Sequence, residues 1–327
     1  MTQKIRVGFI GAGGIAVAHY QRFLTIKQAE IVALNEPSVS SLERFYQQCP
    51  GSILLPVYSN YKDMIKKEDL DAVIVLSPHT LHYEQIMYSL DSNLHVLTEK
   101  PMVCSIADAK EVIKKAKEAN KVLMISYQRH FEPSFRYMRE QIQKGVIGEI
   151  QFVQALLSQE WLQLTRNTWR QIPKLSGGGQ LNDSGSHFID IMMWMTGLKI
   201  CEVFAKIEKF DVKVDINAAL TLRFENGALG NLSVIGNAPA WHEDHTIVGS
   251  KGALLLRQGL GLLQQDESGK PVKVKLPKMT HNPDLNFVMS ILGKERPEVP
   301  PECGLRTIEV TELAWKSAKL GKPVRVP

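Results

Sequence analysis

The sequence predicts an α/β N-terminal part with a doubly wound parallel sheet, and an α+β C-terminal part with an open, mostly antiparallel sheet. Three observations carry this expectation. Short apolar runs alternate with helical patterns as far as about residue 126. A glycine cluster follows the first of those runs directly. From residue 200 to 276 several alternating segments then succeed one another with few helices between them. At 327 residues the chain exceeds a usual single core, so two domains are expected, 1–126 and 127–327. The C-terminal helix is expected to pack back on the first domain.

Each element has its own signal. Strand-like runs fall at residues 5–10, 31–34, 72–76, 94–98 and 122–126, near-continuously apolar as strands covered by helices on both faces are. Helical patterns lie between them, as at residues 15–26 and 106–119. In the latter, Ile106, Ala109, Val112, Ile113, Ala116 and Ala119 recur at helical spacing and would face a core. Parallel strands joined by right-handed crossovers follow from that alternation. Beyond it come a turn at residues 145–148, a long strand at 149–157, a polar and aromatic stretch at 159–171, and Ser176-Gly177-Gly178-Gly179 leading into a helix to about Thr196. Asn226-Gly227 predicts a two-residue hairpin with a type I′ turn. Helices at 282–292 and 303–320 close the chain.

Composition removes whole classes of function. The net charge of +5 is small for this length, and acidic and basic residues alternate, as in Lys110-Glu111 and Lys117-Glu118. A nucleic-acid surface would need a basic stripe, so none is expected. Cys49, Cys104, Cys201 and Cys303 have no paired spacing, which argues against structural zinc and against a disulfide framework. Met1-Thr2-Gln3-Lys4 runs straight into the first strand without a signal pattern, and no apolar run approaches the roughly 18 residues of a membrane span. A cytoplasmic protein with no membrane partner is the expectation.

Gly11-Ala12-Gly13-Gly14-Ile15-Ala16 follows a strand and opens a helix, which is the context a dinucleotide fingerprint of a Rossmann domain requires. Gly11 permits the tight turn, Gly13 lets the backbone approach a pyrophosphate, and Ala16 allows close packing of helix on strand. Glu36, just past the second strand, would accept hydrogen bonds from the adenosine ribose. It would repel a 2′-phosphate, which favours NAD over NADP. Ser77-Pro78-His79-Thr80-Leu81-His82 follows the strand at 72–76 and falls on the cofactor side of the sheet. Ser77, Pro78 and His82 are therefore counted with the cofactor residues. His79 and His82 lack a further ligand at metal spacing, and no metal is expected.

Glu99-Lys100-Pro101 ends another strand on that same side. Pro101 holds Lys100 out of the helical region, and Glu99 and Lys100 fall beside the nicotinamide end. Lys100 is either a surface lysine in a loop or a group that exchanges a proton on a reacting hydroxyl. Asp183 and His187 lie four apart in a helical segment and share a face. An ionised Asp183 would orient the imidazole, although a buried structural bond fits the spacing equally well. The glycines at 177–179 would let the backbone approach a ligand. Asp190 reads as a structural cap or pair. Trp161, Trp169 and Trp241 offer faces to a sugar or to the core. His242 and His245 are three apart, so they form no zincin motif.

Nearly the whole chain resembles the glucose–fructose oxidoreductase, inositol dehydrogenase and rhizopine-catabolism family, Gfo/Idh/MocA. The resemblance rests on the glycine fingerprint, Ser77-Pro78-His79-Thr80-Leu81-His82, Glu99-Lys100-Pro101, Tyr127-Gln128-Arg129-His130-Phe131 and the block from Ser176 to His187. It implies that Lys100 is the active-site lysine and that His187 with Asp183 forms the proton-transfer pair. It also implies hydride transfer between nicotinamide and a secondary alcohol of a sugar, sugar derivative or cyclitol, in a homodimer or homotetramer. Two other activities stay within the resemblance: a glycosidase using transient redox on NAD, and a nonenzymatic NAD-sensing regulator. Relatives often carry Asn-Arg-Arg-Phe where this chain has Gln128-Arg129-His130-Phe131, and Asp in place of Glu36.

Overall fold

The computed structural model describes residues 4–326, so Met1 to Gln3, read above as leading into the first strand, lie outside the described residues. The elements in chain order are β1 (Ile5–Ile10), α1 (Gly14–Phe23), β2 (Ala29–Asn35), α2 (Val39–Gln48), β3 (Val57–Tyr58), α3 (Tyr61–Lys67), β4 (Ala72–Val75), α4 (His82–Asp91), β5 (His95–Thr98), α5 (Ile106–Glu118) and β6 (Leu123–Ile125). They continue with α6 (Pro133–Gln143), β7 (Ile150–Ser158), α7 (Trp161–Leu164), α8 (Pro173–Ser176), α9 (Ser184–Thr196), β8 (Ile200–Glu208), β9 (Asn217–Phe224), β10 (Leu229–Ile235), β11 (His242–Gly249), β12 (Gly252–Arg257), β13 (Gly261–Gln265) and β14 (Pro271–Val272). The chain closes with α10 (Pro283–Ile291), α11 (Pro301–Leu320) and β15 (Val324–Arg325). Two compact units result: residues 1–127 with 281–305, and residues 128–280 with 306–327. The segment 281–305, with α10, thus packs in the first unit and not in the expected second domain, 127–327.

In the first unit all neighbouring strands pair parallel, in the order β3-β2-β1-β4-β5-β6. Crossovers run outwards in both directions from β1 and β4, so the gap between these strands is the switch point where such sheets bind ligands. Val73, Ile74, Val96 and Leu97 are wholly buried, as strands covered on both faces must be. Gly8 sits within β1 where a side chain would crowd Leu70 and Met64, so helix and strand close up there. The helix α5 forms where expected, with Ser105 capping it by accepting the Asp108 N–H.

The second unit carries a nine-stranded sheet, β14-β13-β12-β11-β7-β10-β9-β8-β15. Only β7 and β10 pair parallel; the other neighbours are antiparallel. α9 is apolar nearly all round and buried from Gly185 to Thr196. The turn after β9 is not type I′. Only Gly227 has a positive φ (90°), and its N–H bonds the Phe224 carbonyl. Asn226 stays in the ordinary region because its side chain satisfies the Ala228 N–H and donates to the Ile150 carbonyl. Among the described residues, no helix is long and apolar enough to cross a membrane.

Candidate active site

The glycine turn forms at the carboxyl end of β1. Gly11 has φ +103°, and a Cβ there would press on the Leu76 backbone, so no other residue passes this corner without strain. Gly13 and Gly14 are different: a Cβ on either would meet open space. Gly13 is the N-cap of α1, and the first helical turn carries no acidic residue. Unpaired N–H groups therefore face a clearing of the kind a pyrophosphate fills. Ala12 and Ala16 are buried, while Ile15 is exposed on the helix.

Glu36 lies beside this turn. Its Oε2 accepts the Ala12 N–H at 2.9 Å and its Oε1 the Ser38 N–H at 2.9 Å. The carboxylate is thus fixed before any ligand arrives, and its remaining lone pairs can still accept hydroxyls. These residues fit a dinucleotide.

Ser77 and Pro78 occupy the loop after β4, as expected. The Ser77 hydroxyl donates to Gln85 Oε1 at 2.6 Å, and Pro78 starts a short 3₁₀ turn. His82 requires a correction. Its ring is wholly buried, with Nδ1 2.9 Å from the Pro101 carbonyl and Nε2 2.9 Å from the Ser77 carbonyl. Both nitrogens face the protein's own backbone, so His82 braces the β4 loop against the Pro101 turn and has no ring atom to give a cofactor. Burial lowers its pKa against those carbonyl contacts.

Glu99 is also a positioning group. Its Oε1 lies 3.2 Å from His19 Nε2, and its Oε2 accepts the Lys100 N–H at 3.3 Å. Burial pushes its pKa up, but the His19 hydrogen bond and charge, the Lys100 charge and the Ser126 bond outweigh that and hold it low. His19 Nδ1 lies 2.5 Å from Asp284 Oδ1. Burial works against the His19 imidazolium, yet the charge and hydrogen bond of Asp284 and those of Glu99 lift its pKa to about 9. Lys100 itself is half-buried, on a cis peptide to Pro101.

In the second unit Asp183 sits at the N-cap position of α9, outside the helix with φ −80° and ψ −88° and without a side-chain capping bond, while His187 is the fourth residue of the helix. Asp183 Oδ2 accepts from Trp161 Nε1 at 3.0 Å and from Arg170 Nε at 3.0 Å. Trp161 is buried and spends its polar edge on that carboxylate, so it is no sugar platform. The Arg170 guanidinium lies 4.6 Å over the Trp169 ring, and Trp241 is 45% exposed. His187 is buried on α9.

The glycines before this helix also depart from expectation, because they approach the chain itself. A Cβ on Gly178 would strike the Trp315 ring, and one on Gly179 would land on the Asp215 backbone. Asp215, buried, accepts the Gly179 and Leu181 N–H groups at 2.9 and 2.7 Å and the Trp315 Nε1–H at 3.0 Å. Asp190 pairs with His130 Nε2 at 2.6 Å, the structural role expected of it. Arg129 donates to Glu243 at 2.5 Å and stacks over Phe188. Among the described residues, no group of three or more His, Cys, Asp or Glu could hold a metal.

His19, Asp284, Gln85, Asp215 and the roles of Trp161 and Arg170 carry no recognisable signal in the sequence. His19 has the spacing of an ordinary core residue of α1. Asp284 reads as a plain first-turn acid, and nothing local points 265 positions back.

Residues 5–127 match the model of an oxidoreductase family with an NAD-binding Rossmann fold, and residues 135–255 match that of a GFO/IDH/MocA C-terminal domain. Myo-inositol 2-dehydrogenase of Thermotoga maritima is 27% identical over 98% of both chains. D-glucoside 3-dehydrogenase of Escherichia coli is 27% identical, over 70% of this chain and 69% of its own. The levoglucosan dehydrogenase solved with NADH and L-sorbose superposes with a TM-score of 0.87, at 20% identity and full coverage of both chains.

Proposed function

The chain belongs to the GFO/IDH/MocA family of NAD-binding oxidoreductases, and from that premise we propose that it transfers a hydride between NAD and a secondary alcohol of a sugar, sugar derivative or cyclitol. The observation that carries the reading is the glycine turn at the β1–β4 switch point, closed by the Glu36 carboxylate on Ala12. The named relatives act on an inositol and a glucoside, which supports the polyol class.

Gly11, Gly13, Gly14 and the first N–H groups of α1 would hold the pyrophosphate, and Glu36 the adenosine ribose. Glu36 favours NAD, since a 2′-phosphate would meet its charge. The bound dinucleotide supplies a hydride acceptor. The chain's own residues handle the proton. His187 takes the hydroxyl proton, assisted by Lys100, whose backbone is tied to Glu99. Asp183 is the carboxylate of that machinery, held by Trp161 and Arg170. The same reading has the protein act as a homodimer or homotetramer, supported by exposed Leu229 and Leu263 on the large sheet.

NAD and NADP reduction over a panel of aldoses, inositols and amino sugars tests the proposal. Net NADH formation with one of them is the expected result. Release of a leaving group from a glycoside with no net NADH would replace it with the transient-redox reading.

A further inference from the structure

The Lys100 turn is backed by a buried chain of titratable groups, of which the family motifs quoted above contain only Glu99. His19 is wholly buried on α1, within the first unit. Asp284 Oδ1, from α10, lies 2.5 Å from its Nδ1, and Glu99 Oε1, from the turn after β5, lies 3.2 Å from its Nε2. Asp284 is wholly buried and Glu99 nearly so. A neutral imidazole has one N–H and would turn a lone pair on one of these carboxylates; only the imidazolium donates to both. The other facing charges are Arg22, whose Nη1 donates to Asp284 Oδ2 at 3.2 Å, and Lys100, whose charge acts on Glu99.

We propose that His19 is a positioning residue for Lys100: clamped between Asp284 and Glu99, its imidazolium holds the Glu99 carboxylate and, through it, the Lys100 backbone. This rests on the reading of Lys100 as a proton-handling group. A buried carboxylate without its cation either protonates or captures the nearest ammonium. For Glu99 that ammonium is Lys100. With His19 in place, Glu99 is satisfied by the imidazolium and keeps its hold on the Lys100 N–H.

The experiment uses the full chain, ¹⁵N-histidine labelling, and the variants His19→Gln, Asp284→Asn and Lys100→Met. The His19 signal is identified by its loss in His19→Gln. It is expected to stay charged at pH 8 and to titrate near pH 9. With the best substrate of the sugar and inositol panel, His19→Gln and Asp284→Asn are expected to lower kcat by up to about 100-fold. The upper limb of the pH profile moves, while the NADH Kd from fluorescence titration changes by less than about threefold. A neutral His19 at pH 8 overturns the proposal. So does a variant with lowered melting temperature whose folded fraction keeps the kcat and pH profile of the parent. Full turnover by Lys100→Met overturns the Lys100 reading instead, whatever His19 does.

Discussion

The Glu36 carboxylate is tied to the fingerprint turn by the Ala12 N–H, 2.9 Å from its Oε2. One side chain thus shapes the loop and presents negative charge where the adenosine ribose is proposed to lie. Replacing Glu36 by Ala removes two charge-assisted bonds, each worth about 1.5–3 kcal/mol. NAD affinity is expected to fall at least about tenfold and discrimination against NADP to shrink. Dissociation constants for both cofactors check this; an unchanged ratio contradicts it.

Arg170 and Trp161 converge on one buried oxygen of Asp183. Arg170→Met removes the charged donor from that oxygen, and kcat is expected to fall by about 10- to 100-fold with little change in NAD binding. Steady-state kinetics beside a cofactor titration separate the two. Trp161→Phe should show the same pattern more weakly.

His245 lies under α9, its ring stacked on Phe188 at 4.9 Å and edge-on to Phe135 at 5.1 Å. Neither ring nitrogen has a hydrogen-bond partner among the described residues. Burial, with Arg129 and Arg257 nearby, pushes its pKa from 6.5 down to about 3. The unfolded chain therefore takes up a proton below pH 6.5 that the folded one refuses, and stability drains away as pH falls from 6.5 towards 3. At pH 5 the loss from this group amounts to about 2 kcal/mol. His245→Phe is expected to flatten the acid side of the stability profile, which urea unfolding at pH 5 and 8 measures.

Gly179 has no room for a methyl group against the Asp215 backbone. Gly179→Ala is expected to destabilise by ~1–3 kcal/mol and to loosen the loop that Asp215 ties to the start of α9. A thermal melt of this variant beside Gly13→Ala, where the Cβ meets open space, shows whether close packing or glycine itself matters.

The first unit was legible because its signals are local. The strands β1, β2, β4, β5 and β6 centre on short apolar runs, whereas the two-residue β3 has no such signal, and the glycine turn must follow β1 for steric reasons. Residues 5–10 were placed to the residue, and α5 to within one position. What escaped was non-local. His19 acquires its meaning from Asp284 and Glu99, which share no periodicity with it. His82 reads as a loop histidine until the fold closes two carbonyls on its ring. The glycines at 177–179 resemble a ligand loop, yet the Trp315 ring takes the space beside Gly178 and the Asp215 backbone that beside Gly179. Asn226-Gly227 marked the turn correctly, but the Asn226 side-chain bonds changed its type.

NAD-dependent oxidation of a polyol, with Lys100 as a proton-handling residue, is the activity proposed for this chain. NADH formation by the parent chain and by Lys100→Ala, with NAD Kd measured in parallel across the sugar and inositol panel, tests it most directly. Turnover on at least one polyol by the parent, lost in the variant while NAD binding stays within about threefold, is the predicted result. Undiminished turnover in Lys100→Ala would contradict it.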